Sequence, residues 1–183
     1  MNKFLKVFFA ILIFKIIFGI ILPMSTDEAY YWFWGQRPQL SFYDHPAMVA
    51  WLFYLGSKLD FLFAHAGWQV SRVPSIVLSH AAIYFWYLIL KKYMSEKQLI
   101  GLLIFIVLSP LWGIGSLVVT PDAPLVFFWS LSIYIFTQIS ERFEHEKSVN
   151  WLYALLGASL GLGFCSKYHI ILFVPAAVSY VFL

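Results

Sequence analysis

Charge in this chain is confined to the connections between long apolar stretches, and that placement limits the possible folds more than any other feature. Lys15 is the one charged residue lying well inside an apolar run. Hydrophobic residues make up 62% of the 183 positions and charged residues only 11%. A soluble domain carries about 25% charged residues to coat its surface, so this chain has too few polar groups for a water-facing globule. Lipid removes that requirement. The 21% aromatic share fits the same medium, because Trp and Tyr rings favour the two bilayer interfaces. The expected fold is therefore all-α: a polytopic membrane helix bundle. The net charge of +3 contains no basic run, which argues against a nucleic-acid partner. The single cysteine, Cys165, allows no internal disulfide and reads as a small buried hydrophobe.

A crossing helix needs about 20 mainly apolar residues. Apolar runs predict spans over residues 4–23, 73–90, 99–119, 124–139, 151–164 and 170–183. The first is too long for the apolar core of a signal peptide and no small-residue cleavage site follows, so it reads as a retained anchor. Lys15 within it should face the bundle or extend its ammonium to the interface. The last run reaches Leu183 without a polar tail, which is expected of the N-terminal part of a longer transmembrane domain.

Basic residues orient such a bundle. With a cytoplasmic N-terminus, the inner segments hold Lys3, Lys6, Lys91, Lys92, Lys97, Arg142 and Lys147, and the outer ones hold Arg37, Lys58, Arg72 and Lys167. Seven against four favours that orientation. It also sorts the acids. Asp27, Glu28, Asp44, Asp60 and Asp122 fall outside, whereas Glu96, Glu141, Glu144 and Glu146 fall inside. The positive-inside rule does not demand that division, so it carries functional information.

The longest connection, the outer loop 24–72, contains two short helical signals. Ser25 or Thr26 caps a first helix with Asp27 and Glu28 in its first turn, and Gly35 and Pro38 end it. A second begins near His45-Pro46 and is amphipathic enough to lie in the interface. The acids have two readings. Asp27 and Glu28 serve either as helix-terminal charges or as a general base for an incoming acceptor. Asp44 is a cap before Pro46 or part of the same pocket, and Asp122, between Pro121 and Pro124, is a cap or a second essential carboxylate. Lys167 is a snorkelling cation or a phosphate ligand at headgroup depth. Carboxylates from two loops with a cation at one interface suit chemistry on a lipid-linked phosphate: the carboxylates activate a hydroxyl and the cation holds the leaving phosphate.

The run Asp27-Glu28-Ala29-Tyr30-Tyr31-Trp32, followed by Tyr43-Asp44-His45-Pro46, resembles the first outer loop of the C-type glycosyltransferases. The nearest likeness is to the dolichyl-phosphate-mannose protein mannosyltransferase-like group, which includes the lipid A aminoarabinose transferases. Thr120-Pro121-Asp122-Ala123-Pro124 resembles that group's second outer-loop motif, and Gly161–Tyr168 its helix-end lysine motif. The resemblance implies sugar transfer from a polyprenyl-phosphate donor to a lipid, glycan or protein acceptor at the extracytoplasmic face of a bacterial inner membrane. Asp27 would be the catalytic carboxylate and Asp122 the second essential one. Glu28, Tyr30, Asp44, His45 and Lys167 would contact substrates, Lys167 through the donor phosphate. Relatives in that group have two prolines after the histidine; here Ala47 follows Pro46.

Two other classes stay open, a multi-span transporter and an inactive truncated membrane protein. A transporter should carry acids near mid-membrane, and here every acid lies in a connection. Loop carboxylates could hold a divalent cation, but His45, His65, His80, His145 and His169 show no ligand spacing, and no metal or other cofactor is assigned.

Overall fold

The computed structural model describes residues 2–62, 69–110, 112–144 and 148–182. Four of the residues weighed above, His65, His145, Glu146 and Lys147, lie outside that set. Among the described residues every regular element is helical, apart from one isolated bridge between Ser41 and Pro46. The α-helices are α1 (Lys3–Ile21), α2 (Thr26–Gly35), α3 (Met48–Ser57), α4 (Val73–Leu90), α5 (Glu96–Leu108), α6 (Asp122–Glu144), α7 (Asn150–Ser166) and α8 (Phe173–Val181). Among the described residues, three helices are long and apolar enough to cross a membrane: Lys3–Ile21, Val70–Leu90 and Asp122–Phe143. The chain is an all-α membrane helix bundle.

Local sequence explains where these helices start. Asn2 caps α1 by accepting the Leu5 N–H. Ser25 with Glu28, and Ser95 with Gln98, form reciprocal capping boxes at α2 and α5. Pro74 occupies the first turn of α4, where its missing N–H does no harm. The apolar run expected to be helical over 99–119 is α-helical only to Leu108, with one later 3₁₀ turn at Gly115–Leu117. Ser109-Pro110 ends it, because proline disfavours a helical residue before it. The chain then turns sharply: a Cβ on Gly113 would lie 2.2 Å from the Val107 carbonyl oxygen.

Helix α4 packs between α1 and α6, and α6 in turn packs against α7. Contacts between α6 and α7 combine an aliphatic cluster of Ile135, Ile139 and Leu152 with hydroxyl hydrogen bonds of the kind that join membrane helices. The Ser132 and Ser159 hydroxyls lie 2.9 Å apart, and Ser159 also donates to the Phe128 carbonyl. Helices α2 and α3 have ten residues each and are too short to cross. The sequence predicted that α3 would lie in the interface. It packs at one end of the bundle, with Val49, Ala50 and Phe53 wholly buried against Trp34 and Val119. Gly56 makes this seat possible, because a Cβ there would meet the Ser71 carbonyl oxygen at 2.1 Å.

The two ends of the bundle differ. At one end, the Phe4 N–H donates to Glu96 and Lys92 pairs with Glu141. The other end carries α2, α3, the start of α6 and the end of α7, and with them the aspartates.

A candidate active site at one end of the bundle

The centre of this end is a buried ion pair. Glu28 and Arg72 are 0% and 1% exposed. The Arg72 Nε donates to Oε1 and Nη2 to Oε2 of Glu28, both at 2.7 Å. The remaining guanidinium hydrogens go to backbone carbonyls: Nη1 to Gly19 and Leu22, and Nη2 to Pro23. Arg72 thus satisfies the orphan carbonyls at the end of α1. Glu28 accepts two further N–H groups, from Ser25 at 3.0 Å and from Val119 at 2.9 Å. Burial alone would raise the Glu28 carboxyl, but the hydrogen bonds from Arg72, Val119 and Ser25 and the guanidinium charge outweigh it. They hold the group below its ordinary value. One ion pair therefore ties together the end of α1, the start of α2, the start of α4 and the strand of chain entering α6.

Glu28 is consequently not a surface group. Its carboxylate is enclosed and fully engaged with protein donors. Its neighbour Asp27, one step round the first turn of α2, is exposed and makes no hydrogen bond or ion pair with another described residue. The Glu28–Arg72 pair fixes the turn from which Asp27 projects.

Asp122 and Lys167 meet directly. Nζ of Lys167 donates to Oδ1 of Asp122 at 2.7 Å. Helices α6 and α7 run antiparallel, so the N-terminus of one lies beside the C-terminus of the other. An acid at the first and a base at the second each complement the local helix dipole, and then each other. With Asp122 58% exposed and Lys167 25%, the pair contributes at most about 1 kcal/mol. It is held loosely enough for a ligand to exchange for either partner.

Aromatic contacts organise the loop between α2 and α3. Trp34 stacks on Phe42 with ring centres 4.4 Å apart, and Trp51 Nε1 donates to the Gln39 carbonyl. Tyr30 donates its hydroxyl to Asp44 at 2.7 Å, which raises the phenol above its ordinary value. The half-buried His45 ring sits edge-on to Tyr31, 5.8 Å between centroids. Tyr31 is the residue that sequence reasoning missed. Its phenol is raised first by burial and then by the charges of Asp27, Asp122 and Asp44. The DEAYYW run contains Tyr30 and Tyr31 side by side, and only the helical phase of α2 distinguishes the outward ring from the inward one.

The donors present do not form a metal site. Among the described residues no three His, Cys, Asp or Glu side chains are grouped to hold an ion. Asp44 is bonded to Tyr30 and Asp122 to Lys167. A groove between α6 and α8, lined by Trp129, Phe136, Phe173 and Tyr180, leads to Glu141 at the opposite end, away from the aspartates.

A family model described as dolichyl-phosphate-mannose-protein mannosyltransferase matches residues 44–183, a stretch that holds Asp44, His45, Asp122 and Lys167. The lipid A galacturonosyltransferase RgtD of Rhizobium johnstonii is 28% identical over 157 residues, covering 82% of this chain and 30% of that protein. The chain thus spans just under a third of that relative's length. No solved structure matches the chain.

Proposed function

Because the chain belongs to the dolichyl-phosphate-mannose-protein mannosyltransferase family, we propose that it forms the catalytic end of a membrane glycosyltransferase. The donor is a polyprenyl-phosphate sugar. The aspartate-bearing end faces the extracytoplasmic side of a bacterial inner membrane, with the N-terminus in the cytoplasm. The observation that carries this reading is the Lys167–Asp122 ion pair, at the same end of the bundle as the exposed Asp27 and the Tyr30–Asp44 hydrogen bond.

Asp27 is the general base. Its carboxylate is exposed and uncommitted, so it can accept the proton of an acceptor hydroxyl as that oxygen attacks the anomeric carbon of the donor. The bond between the anomeric carbon and the phosphate oxygen breaks, and the electron pair leaves with the polyprenyl phosphate. Lys167 neutralises that leaving group. The donor phosphodiester carries one negative charge and gains a second as the anomeric bond breaks, so Lys167 shifts from Asp122 to the phosphate oxygen as the leaving group forms. The freed Asp122 carboxylate then faces the sugar. Tyr31, held as a neutral phenol, donates a hydrogen bond within the same pocket, and His45 and Tyr30 with Asp44 line its edge. Glu28 and Arg72 touch no substrate and act by fixing the turn beneath Asp27.

The relative's printed name makes a lipid A-type glycolipid the first acceptor to test and a uronic acid the first sugar. The experiment is a transfer assay with the purified full-length protein, a panel of polyprenyl-phosphate sugars, and glycolipid, glycan and peptide acceptors. Transfer from at least one donor supports the reading. Absence of transfer from every lipid-linked donor, alongside transfer from a nucleotide sugar, contradicts it.

A further inference from the structure

We propose that Lys15 is a positioning residue for Asp122, acting from inside the first membrane helix; this rests on the reading of Asp122 as an essential carboxylate. Lys15 is only 3% exposed, in the middle of α1. An ammonium in an apolar bundle is tolerated only where polar partners receive it. Its Nζ donates to the Trp112 carbonyl at 2.8 Å and to Ser116 Oγ at 2.7 Å. Ser116 passes its own hydrogen on to the Gly113 carbonyl at 2.9 Å.

All three of these residues belong to the run between α5 and α6, whose regular structure is a single 3₁₀ turn over Gly115–Leu117. Backbone outside an α-helix is stable at membrane depth only where other groups satisfy it, and Lys15 supplies a donor to the Trp112 carbonyl. The same run is gripped again at Val119, whose N–H goes to Glu28 Oε1. Asp122 follows three residues later, between the buried prolines 121 and 124. The connection that carries Asp122 is therefore held at two points ahead of it, one by α1 and one by α2. Removing the Lys15 contacts leaves the run held by Glu28 at Val119 and by Lys167 at Asp122, and lets Asp122 shift relative to Asp27. A packing role at this position would be filled better by Leu or Met, neither of which brings a charge into the bundle. His80, the other fully buried ionisable group nearby, meets the Phe8 carbonyl of α1 and not this run.

The test uses K15M, K15R, S116A and D122N in the full-length protein, with kcat and donor KM measured per folded molecule. In K15M kcat should fall about 10- to 100-fold, the effect of misplacing a catalytic group by a fraction of an ångström to an ångström, while donor KM stays unchanged. K15R should recover most of the loss, and S116A should show a smaller fall in kcat alone. Wild-type kcat in folded K15M overturns the proposal, as does a loss confined to yield and melting temperature. Should K15M fail to fold, S116A decides: a lower kcat at unchanged KM supports the proposal and a wild-type kcat overturns it. Wild-type kcat in D122N would instead overturn the reading of Asp122 on which the proposal rests.

Discussion

Glu28 and Arg72, 44 positions apart, close on each other through two parallel 2.7 Å hydrogen bonds with almost no exposure to solvent. Breaking such a pair strands the remaining charge, which costs about 3–5 kcal/mol. R72A should therefore lower the melting temperature of the detergent-solubilised protein sharply. R72K should recover little, because three ammonium hydrogens cannot replace five guanidinium hydrogens in a planar fork. The double variant E28A/R72A should be more stable than the sum of the single losses predicts. Additive losses would mean that the pair is not coupled.

The same pair predicts a pH dependence. The folded-state carboxyl of Glu28 lies below its ordinary value of 4.5. A depressed carboxyl contributes stability at pH above its unfolded value, and loses it as pH falls through the folded value. The difference in melting temperature between the native protein and E28Q should be constant from neutral pH down to the ordinary carboxylate range, then narrow in more acid solution. A gap that widens on acidification would reverse the assignment.

Gly56 lies against the backbone of Ser71, with no room for a methyl group. G56A must move α3 away from the start of α4, at a cost of about 1–3 kcal/mol. Since α3 braces Trp34 and Val119, transfer should fall along with stability. G101A makes the control, because nothing lies near a Cβ at that position. Thermal melts of the two variants read the difference.

Lys167 and Asp27 should separate kinetically. K167M removes the cation that meets the donor phosphate, so donor KM should rise along with a lower kcat. D27N removes the base, so kcat should fall by about 10²–10⁴ with little change in donor KM. Steady-state kinetics at varied donor concentration distinguish the two. An unchanged donor KM in K167M would remove Lys167 from the phosphate site.

The distribution of charge along the chain made the bundle legible and placed the aspartates at one end. Ser25, read as a candidate cap, marked the start of α2 correctly, since that bond is local. The break at Ser109-Pro110 was written in the sequence by its proline, and averaging hydropathy from Leu99 to Val119 hid it. Two features were not legible, each because its cause is not local. Arg72 looked like one loop cation among four, whereas its worth comes from Glu28 and from three carbonyls at the end of α1. Glu28 and Asp27 are adjacent acids in sequence, and only the rotation of α2 buries one and exposes the other.

The central claim is that Asp27 and Asp122 carry the chemistry of sugar transfer. Its most direct test is transfer from a polyprenyl-phosphate sugar by full-length D27N and D122N, each expressed and melting like the native protein. The account predicts that both variants lose transfer while still binding the donor. Native rates of transfer by both would contradict it.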